Sequence, residues 1–331
     1  MTATFSPLIN NLIFVTHDTF ATTLGGVAAY DAKCNAAASA VGLNNLAGSG
    51  YIAYLSSPSS LASTRLGSAR GWVRLDGRPF ADTQSSLLNG QVFNPIHFAD
   101  FGQVDSGVFV MTGTSFGQLG NSCSGWTSAS GVGLGGDPQA GPSWSDLFGD
   151  QLCSAAGHLI CVGISKTTPV AAVVTSGRQI WHTNTPYIIG GGLTPDQKCQ
   201  SERPAGVTSA VAFIDYAAKS AASLLSPNQN YVRPDGTLVG TGAQLSSNSY
   251  LESGIWQSAA GTYEFASVWS GGNYPDTVGS LTTCADWTSS SDTGITAIGV
   301  ANSVATNYWW GNSGAYCNAT YVNLYCLQTA P

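Results

Sequence analysis

The stretch "CSGWTSASG" (123–131) has a counterpart later in the chain, "CADWTSSSD" (284–292), whose cysteine lies 161 residues further on. Both stretches place a tryptophan three residues after a cysteine and follow it with a run rich in Thr and Ser. The other three cysteines of the first half recur at offsets of 164 or 165 residues, in the pairs Cys34 and Cys199, Cys153 and Cys317, and Cys161 and Cys326. Four cysteines that recur at nearly one offset indicate a tandem duplication.

Further matching stretches support the duplication. They are "GGVAAYDAKC" (25–34) with "GGGLTPDQKC" (190–199), "YIAYLSS" (51–57) with "AVAFIDY" (210–216), "WVRLDG" (72–77) with "YVRPDG" (231–236), and "VMTG" (110–113) with "VWSG" (268–271). Between the halves lies "SKTTPVAAVVTSG" (165–177), whose Thr, Pro and Val residues are typical of an ordered short linker. The sequence therefore predicts a first copy at 8–164, a linker at 165–177 and a second copy at 178–328.

The order of elements within each copy predicts an α+β fold. A strand comes first ("NLIFVT" and "RQIWHT"), followed by a helix that carries the first cysteine. In copy 2, Thr194 is a good N-cap and Pro195 suits the first helical position. An apolar strand and a short Ser/Ala-rich segment follow, and the remainder of each copy reads as short strands and Gly-rich loops. Helices early and strands late favour α+β over alternating α/β.

Composition narrows the classes of partner. Only 9% of the 331 residues are charged, against about 25% in a typical globular protein. The net charge is −7, with 11 Lys plus Arg and no basic cluster, so neither nucleic acid nor an anionic membrane is an expected partner. No apolar run reaches the roughly 18 residues that a membrane span requires. The stretch "MTATFSPLINNLIFVT" (1–16) lacks the features of a secretory signal, so the export route stays open.

The eight cysteines indicate an oxidising compartment. Their even number and wide spacing fit disulfides, and the absence of any CxxC pair removes the common zinc-ribbon and thioredoxin-like interpretations. We therefore expect an extracellular or cell-surface protein. Within each copy, four cysteines allow three connectivities, and the spacing alone does not choose between them.

The arrangement of the motifs resembles a known family. The residues that carry the resemblance are "AYLSS" (53–57), "CSGW" (123–126) and "LCSAAGHLIC" (152–161), with their partners in copy 2. A first helix bearing a cysteine, a Cys-x-x-Trp, a cysteine before the last strand and another within it are similar to the C-type-lectin-like fold. The endostatin-like branch and bacterial secreted or surface repeats of this fold are the most similar. The resemblance covers nearly the whole chain.

The resemblance also implies a nested disulfide pattern. It pairs Cys34 with Cys161 and Cys123 with Cys153, and in copy 2 it pairs Cys199 with Cys326 and Cys284 with Cys317. The outer bond would tie the first helix to the last strand. On the chain-entropy model, closing a loop of this length contributes roughly 4–5 kcal/mol to stability, and the inner bond roughly 3–4 kcal/mol.

Metal, cofactor and catalytic signals are weak. Neither copy carries the calcium signature of lectins of this fold, and we expect Asp137, Asp146 and Asp150 to be solvated loop acids rather than cation ligands. His17 and His182 are 165 residues apart and are predicted to be equivalent structural histidines at strand ends. "GTSFG" (113–117) matches the G-x-S-x-G pattern of hydrolases, but the pattern is common by chance in a chain so rich in Gly and Ser. We expect no cofactor, no metal and no enzymatic activity.

The aromatic residues suggest a binding surface in copy 2. "NYWWGNSGAYC" (307–317) sets Tyr308, Trp309 and Trp310 side by side in what reads as a loop. Rings flanked by Asn307 and Asn312 can stack on sugar faces while the amides bind hydroxyl groups. Copy 1 has a single tryptophan, Trp144, in the corresponding loop. The sequence predicts that these residues form an aromatic platform with at least one tryptophan exposed.

Two functions of different classes follow. The first is a secreted or surface-displayed, non-enzymatic binding protein that recognises a glycan or a cell-surface protein, without calcium, through the loops of copy 2. The second is a structural subunit of an extracellular fibre, sheath or particle, assembled with copies of itself. In that case the apolar arm "SPLINNLIFV" (6–15) or the linker segment "PVAAVV" (169–174) would add a strand to a neighbour's sheet edge.

Overall fold

In a computed structural model of the chain, the two copies form separate units. The structure describes residues 9–43, 50–99, 102–103, 108–279 and 283–330. The compact units are Met1–Ala171 and Ala172–Pro331, and the division between them falls inside the predicted linker. The Val170 N–H donates to Asp82 Oδ1 of the first unit (2.9 Å), whereas the Thr175 N–H donates to the Gly236 carbonyl of the second (2.9 Å).

Copy 1 contains four short helices and twelve strands. The helices are α1 (Val27–Ala40), α2 (Ala62–Arg65), α3 (Gln84–Leu88) and α4 (Cys123–Trp126). The strands are β1 (Asn11–Val15), β2 (Tyr51–Ala53), β3 (Trp72–Val73), β4 (Pro79–Ala81), β5 (Phe98–Ala99), β6 (Gly102–Gln103), β7 (Val110–Met111), β8 (Thr114–Ser115), β9 (Gln118–Leu119), β10 (Val132–Gly136), β11 (Gly149–Leu152) and β12 (His158–Gly163).

Copy 2 repeats this order with fewer strands. Its helices are α5 (Pro195–Ser201), α6 (Gly242–Ser246) and α7 (Cys284–Trp287), with a 3₁₀ turn at Ala221–Leu224 in the place of α2. The strands are β13 (Arg178–His182), β14 (Ala210–Ala212), β15 (Asn230–Val232), β16 (Leu238–Thr241), β17 (Ser267–Trp269), β18 (Ile295–Val300), β19 (Ser313–Tyr316) and β20 (Asn323–Gln328). None of the helices in the described ranges is long and apolar enough to cross a membrane.

The main sheets of the two copies have the same strand order. In copy 1 it is β11-β10-β7-β12-β1-β3-β4, with β2 also paired to β12, and in copy 2 it is β19-β18-β17-β20-β13-β15-β16, with β14 paired to β20. The first and last strands are antiparallel neighbours at the centre, where Phe14 lies opposite Cys161 and Trp181 lies opposite Cys326. The predicted α+β class and the duplication are therefore confirmed at the level of strand register.

The nested disulfides implied by the resemblance are present in both copies. Cys34–Cys161 and Cys199–Cys326 each close 127 residues and join the first helix to the central strand. Cys123–Cys153 and Cys284–Cys317 close 30 and 33 residues. All eight cysteines are paired, and four disulfides indicate an oxidising, extracellular environment.

Local helix signals were partly recognised from the sequence. Thr194 caps α5 as predicted: its hydroxyl accepts the Gln197 N–H (3.2 Å), and Gln197 Oε1 accepts the Thr194 N–H (2.9 Å). Helices α3 and α6 were missed in the stretch read as strands and loops. Thr241 forms the same capping box with Gln244, so the spacing of Thr241 and Gln244 was the available signal.

The predicted N-terminal docking arm is wrong for the part that the structure describes. Residues Asn11–Val15 form β1, a fully buried strand at the centre of the copy 1 sheet, between β12 and β3. Such a strand already uses its backbone groups within its own sheet, so it cannot add to the edge of a neighbour. Residues 6–8 of the proposed arm lie outside the described residues.

The predicted equivalence of His17 and His182 is also wrong. His182 lies opposite Tyr325 in the β13–β20 pair, and the residue at that register position in copy 1 is Val15, opposite Ile160. His17 follows β1 and is exposed, whereas His182 is fully buried within its strand. The offset between the copies is 167 residues here, and not 165, because the connection after the first strand differs in length.

Replacing His182 with valine is expected to remove an acid sensitivity from copy 2. Burial lowers the pKa of His182 below its usual 6.5, an effect that Thr183, Glu264, Trp256 and Glu202 partly oppose. The folded state therefore keeps the imidazole neutral, while the unfolded state binds a proton below about pH 6.5. The stabilisation is complete above that pH and is lost as the pH falls below it.

Melting temperatures of the full chain at about pH 7 and about pH 5 measure this effect. The decrease on acidification should be smaller for His182→Val than for the wild type. His17→Val, which changes an exposed histidine, is the control and should behave as the wild type does. An equal decrease in all three proteins would contradict the assignment.

Candidate functional site

The predicted aromatic platform is wrong for its two tryptophans, since both are fully buried. Trp309 Nε1 donates to the Ser249 carbonyl (3.1 Å), and the Trp310 ring stacks on Tyr325 at 6.3 Å and packs 5.0 Å from Phe213. A close approach of the backbone makes this possible, because a Cβ atom on Gly299 would lie 2.1 Å from the Trp309 carbonyl oxygen. The loop is packed on both sides, so adjacent tryptophans need not share one face.

The remaining members of the predicted site are divided between surface and core. Tyr308 is 43% exposed, and Asn307 and Asn312 lie on the surface. Asn307 Oδ1 accepts a hydrogen bond from Asn248 Nδ2 (3.0 Å). Trp144 is buried in copy 1, where its ring lies 4.7 Å from that of Tyr54. The structure therefore does not bring these residues together as one ligand-facing surface.

The acidic residues and the serine motif of copy 1 make local hydrogen bonds. Asp137 Oδ1 accepts the Gln139 N–H (2.8 Å), and burial raises the pKa of Asp137 to about 6. Asp150 accepts from Asn121 (2.8 Å), and Asp146 accepts from Ser115. Ser115 ends β8, which turns directly into β9, so no helix follows it as a nucleophile elbow requires. Among the described residues, no group of three or more His, Cys, Asp or Glu side chains could hold a metal ion.

A left-handed turn at the Cys-x-x-Trp motif is the least ordinary backbone feature of both copies. In copy 2 its four residues, Cys284–Trp287, have φ angles of 52°, 52°, 52° and 67°. The left-handed conformation costs roughly 1–2 kcal/mol per non-glycine residue. The turn is held by the Cys284–Cys317 disulfide and by the Trp287 indole N–H, which donates to the Asp215 carbonyl (3.0 Å).

Beside this turn lies a cleft of about 580 Å³. We call it the copy 2 cleft; it is lined by the loop 190–196, Tyr216, Lys219 and the residues 286–288. The Tyr187 hydroxyl fixes two of its walls to each other, because it lies within hydrogen-bond distance of the carbonyls of Leu193 (3.0 Å) and Trp287 (3.4 Å).

The cleft exists because helix α5 begins late. In copy 1, α1 starts at Val27, four residues before Asp31, whereas α5 starts at Pro195, one residue before Asp196. Asp31 and Asp196 are equivalent, since each accepts the N–H of the matching strand residue, Ala53 or Ala212 (2.9 and 2.8 Å). The missing helical residues are replaced by the Gly-rich loop 190–194, which lines the cleft.

The side chains at this place differ sharply between the copies. The register positions of Tyr216 and Lys219 are occupied in copy 1 by Ser57 and Ser60, whose backbones make the same turn. The position of Asp286 is Gly125 in copy 1. The pairs "AYLSS" and "AFIDY", and "CSGW" and "CADW", contained this information, so a position-by-position comparison of the copies could have found the site.

The charged groups of the cleft are fixed by the backbone. Asp286 Oδ1 accepts the Ala217 N–H (2.8 Å) and the Thr283 hydroxyl (3.0 Å). Burial raises the pKa of the Tyr216 phenol, and the charges of Asp196 and Asp286 raise it further, so both carboxylates lie near this ring. Within the part of the chain that the structure describes, Asp196, Asp286 and Lys219 make no ion pair.

Comparison with known proteins gives no relative to guide the assignment. No family model matches the chain, and no curated protein matches it. The assignment of the cleft therefore depends on its geometry and on the internal comparison of the two copies.

Asp215 supports the wall that carries Tyr216. Its carboxyl group is fully buried, with Oδ1 accepting the Ala221 N–H (2.7 Å). Oδ2 makes no standard hydrogen bond to any described residue, although the Trp310 indole faces the carboxyl group. Burial raises the pKa of Asp215 to about 8, with a smaller increase from Asp276, against the lowering effect of the Ala221 N–H. The residue at this position in copy 1 is Ser56, which accepts the Ala62 N–H in the same way (2.9 Å).

Replacing Asp215 with serine is expected to make copy 2 less sensitive to alkali. The folded state keeps this carboxyl protonated up to about pH 8, while the unfolded state loses the proton near its ordinary pKa of 3.8. The contribution to stability is therefore complete at low pH and is lost as the pH rises from about 4 to about 8. The wild type should lose more melting temperature between about pH 5 and about pH 8 than Asp215→Ser does.

Asp292→Asn removes an exposed carboxylate and is the matched control. It should retain the pH dependence of the wild type. If Asp215→Ser shows the same slope as the wild type, Asp215 is ionised in the folded protein and the assignment fails.

Proposed function

We propose that this protein is a secreted or surface-displayed, non-enzymatic binding protein and that the copy 2 cleft is its ligand site. The observation that carries the proposal is the divergence of the copies at one place on a shared scaffold. Copy 1 has small residues there, whereas copy 2 has a half-buried tyrosine, a lysine and two carboxylates around a cavity. A cavity with an aromatic ring and a few convergent polar groups is the usual form of a small-ligand site.

A glycan is the ligand class that fits best. The Tyr216 ring offers a stacking surface, and the hydroxyls of Thr194 and Thr288 and the carboxylates can bind sugar hydroxyls. Asp196 and Asp286 each use one oxygen for a backbone N–H, which leaves too few carboxylate oxygens for a calcium ion's six to eight ligands. Binding in this proposal is therefore calcium-independent.

The finer fold assignment belongs to the same proposal. We infer that each copy is C-type-lectin-like, of the endostatin-like type. The support is the outer disulfide between the first helix and the last strand, the inner disulfide nested within it, and the central antiparallel pairing of first and last strands.

Glycan-array binding of the full chain tests the proposed site. Tyr216→Ser and Lys219→Ser install the copy 1 residues and should each lower affinity at least about thirtyfold if the residue is an anchor, which corresponds to about 2 kcal/mol. Tyr321→Ser, which changes an exposed tyrosine outside the cleft, is the control. Binding that survives both cleft changes at normal melting temperature would exclude the cleft as the glycan site.

A second candidate function is self-assembly, and a repeated surface feature favours it. The outermost strands β11 and β19 carry Leu152 and Tyr316, which are 67% and 54% exposed. Each lies opposite another exposed apolar residue, Val132 or Ile295. Exposed edge strands with apolar side chains are sites of strand addition, and we propose a second copy of this chain as the partner. In this candidate the edges, and not the buried N-terminal strand, make the contact.

Light scattering after size exclusion tests this second function. Wild-type protein should form species larger than a monomer at concentrations of tens of micromolar, and the double variant Leu152→Lys, Tyr316→Lys should be monomeric because like charges oppose edge pairing. Val173→Lys tests the exposed linker and should still assemble. A monomeric wild type would exclude self-assembly, and a monomeric Val173→Lys protein with an assembled edge variant would assign the contact to the linker.

A further inference from the structure

Copy 1 contains a cationic group at the position that became the cleft in copy 2. The Arg65 guanidinium forms an ion pair with Asp31, and its Nη1 atom donates to the carbonyls of Ala53 (3.0 Å) and Leu55 (3.1 Å). Together, one carboxylate and two carbonyls thus surround a side-chain cation. This arrangement is a built cation site that the chain itself fills.

Copy 2 keeps the acceptors of that site but not the cation. Asp196 stands where Asp31 does, and Ala212 and Ile214 provide the two carbonyl positions. The position of Arg65, three residues after Ala62, is taken by Leu224, three residues after Ala221. The carboxylate of Asp196 is exposed and lines the copy 2 cleft.

No lysine or arginine side chain replaces the lost guanidinium in the described residues. Lys198, the nearest cation on the same helix, is paired with Glu202 (2.6 Å) and bonds the Thr185 hydroxyl (2.6 Å). Lys219 lines the cleft but makes no ion pair in the described ranges, as noted above. The lining thus holds two carboxylates against one ammonium group, and the whole chain carries a net charge of −7.

We propose that the copy 2 cleft binds a glycan that carries a protonated amino group, and that this ammonium group occupies the position of the Arg65 guanidinium, against Asp196. The inference rests on the proposed function of the cleft and specifies its ligand. The Tyr216 ring and the Asp286 carboxylate, which lie near Asp196, complete the surroundings of the cation. An aromatic face beside a carboxylate is a favourable environment for an ammonium group.

Calorimetric titration of the full chain with two matched tetrasaccharides tests this ligand class. The β-1,4-linked tetramer of glucosamine and that of N-acetylglucosamine share one backbone and differ in the charge of the nitrogen. At about pH 6, where amines are protonated, the glucosamine tetramer should bind at least about tenfold more tightly. Tri-lysine serves as a third probe, because it presents ammonium groups without sugar rings.

Two substitutions examine the acceptor itself. Asp196→Asn keeps an oxygen for the Ala212 N–H and removes the charge, and Leu224→Arg restores the guanidinium of copy 1. Each should abolish the preference for the glucosamine tetramer, and Leu224→Arg does so without deleting any cleft group. Asp292→Asn makes the same change in net charge elsewhere on the surface and should leave the preference intact.

The outcomes separate this inference from the proposed function. Equal or tighter binding of the acetylated tetramer, lost on Tyr216→Ser, would overturn the ammonium assignment and leave the glycan site standing. Binding of tri-lysine with neither sugar bound would overturn both and identify a basic peptide as the ligand. Failure of all three probes would overturn the ammonium assignment, while the array result alone would decide the proposed function.

Discussion

The hydrogen bond from the Cys-x-x-Trp indole to a carbonyl in the preceding strand segment organises each copy. Trp126 donates to Ser56 (2.8 Å) and Trp287 to Asp215 (3.0 Å). Each bond joins the inner disulfide to the segment that follows the second strand, across 70 or 72 residues of chain. The left-handed turn is what aims the indole at this carbonyl, and its conformational cost is tolerable because a covalent bond and a buried hydrogen bond both require it.

That contact also explains a glycine in "VMTG" and "VWSG". A Cβ atom on Gly271 would lie 2.5 Å from the Asp215 carbonyl oxygen and 2.8 Å from the Trp287 ring, and Gly113 is equally confined in copy 1. Both glycines have positive φ angles, of 80° and 61°. A side chain here would displace the tryptophan from its acceptor, so the motif records a packing requirement and not a flexible loop.

The sequence predicted the parts of the structure that depend on position along the chain. Recurring cysteines gave the duplication, and Thr194 with Pro195 gave the start of α5. The parts that depend on packing in three dimensions were not accessible in this way. Trp309 and Trp310 look like a loop surface because neighbouring residues point in different directions, yet the loop is covered on both sides. His182 was aligned by cysteine offset, whereas strand register moves it by two residues onto Val15.

The same limits applied to the candidate site. Its residues do not form a motif of their own, and Tyr216, Lys219 and Asp286 become informative only when each is compared with the serine or glycine of copy 1. Asp196 is less visible still, because both copies have an aspartate there. What differs is the residue 28 positions further on, leucine in copy 2 in place of arginine, and only the fold places that residue beside the aspartate.

Copy 2 also carries chemically costly residues where copy 1 has neutral ones, and their distribution argues for function. A buried carboxyl group replaces Ser56, and a carboxylate on a left-handed backbone replaces the glycine that suits that conformation best. Selection for stability alone would keep serine and glycine at these positions, as copy 1 does. Asp286 lines the cleft, and Asp215 directly precedes Tyr216, so the departures from favourable chemistry gather around one cavity. Local rules are broken in this concentrated way at sites under functional constraint, which favours the cleft over the aromatic loop as the place where this protein meets its ligand.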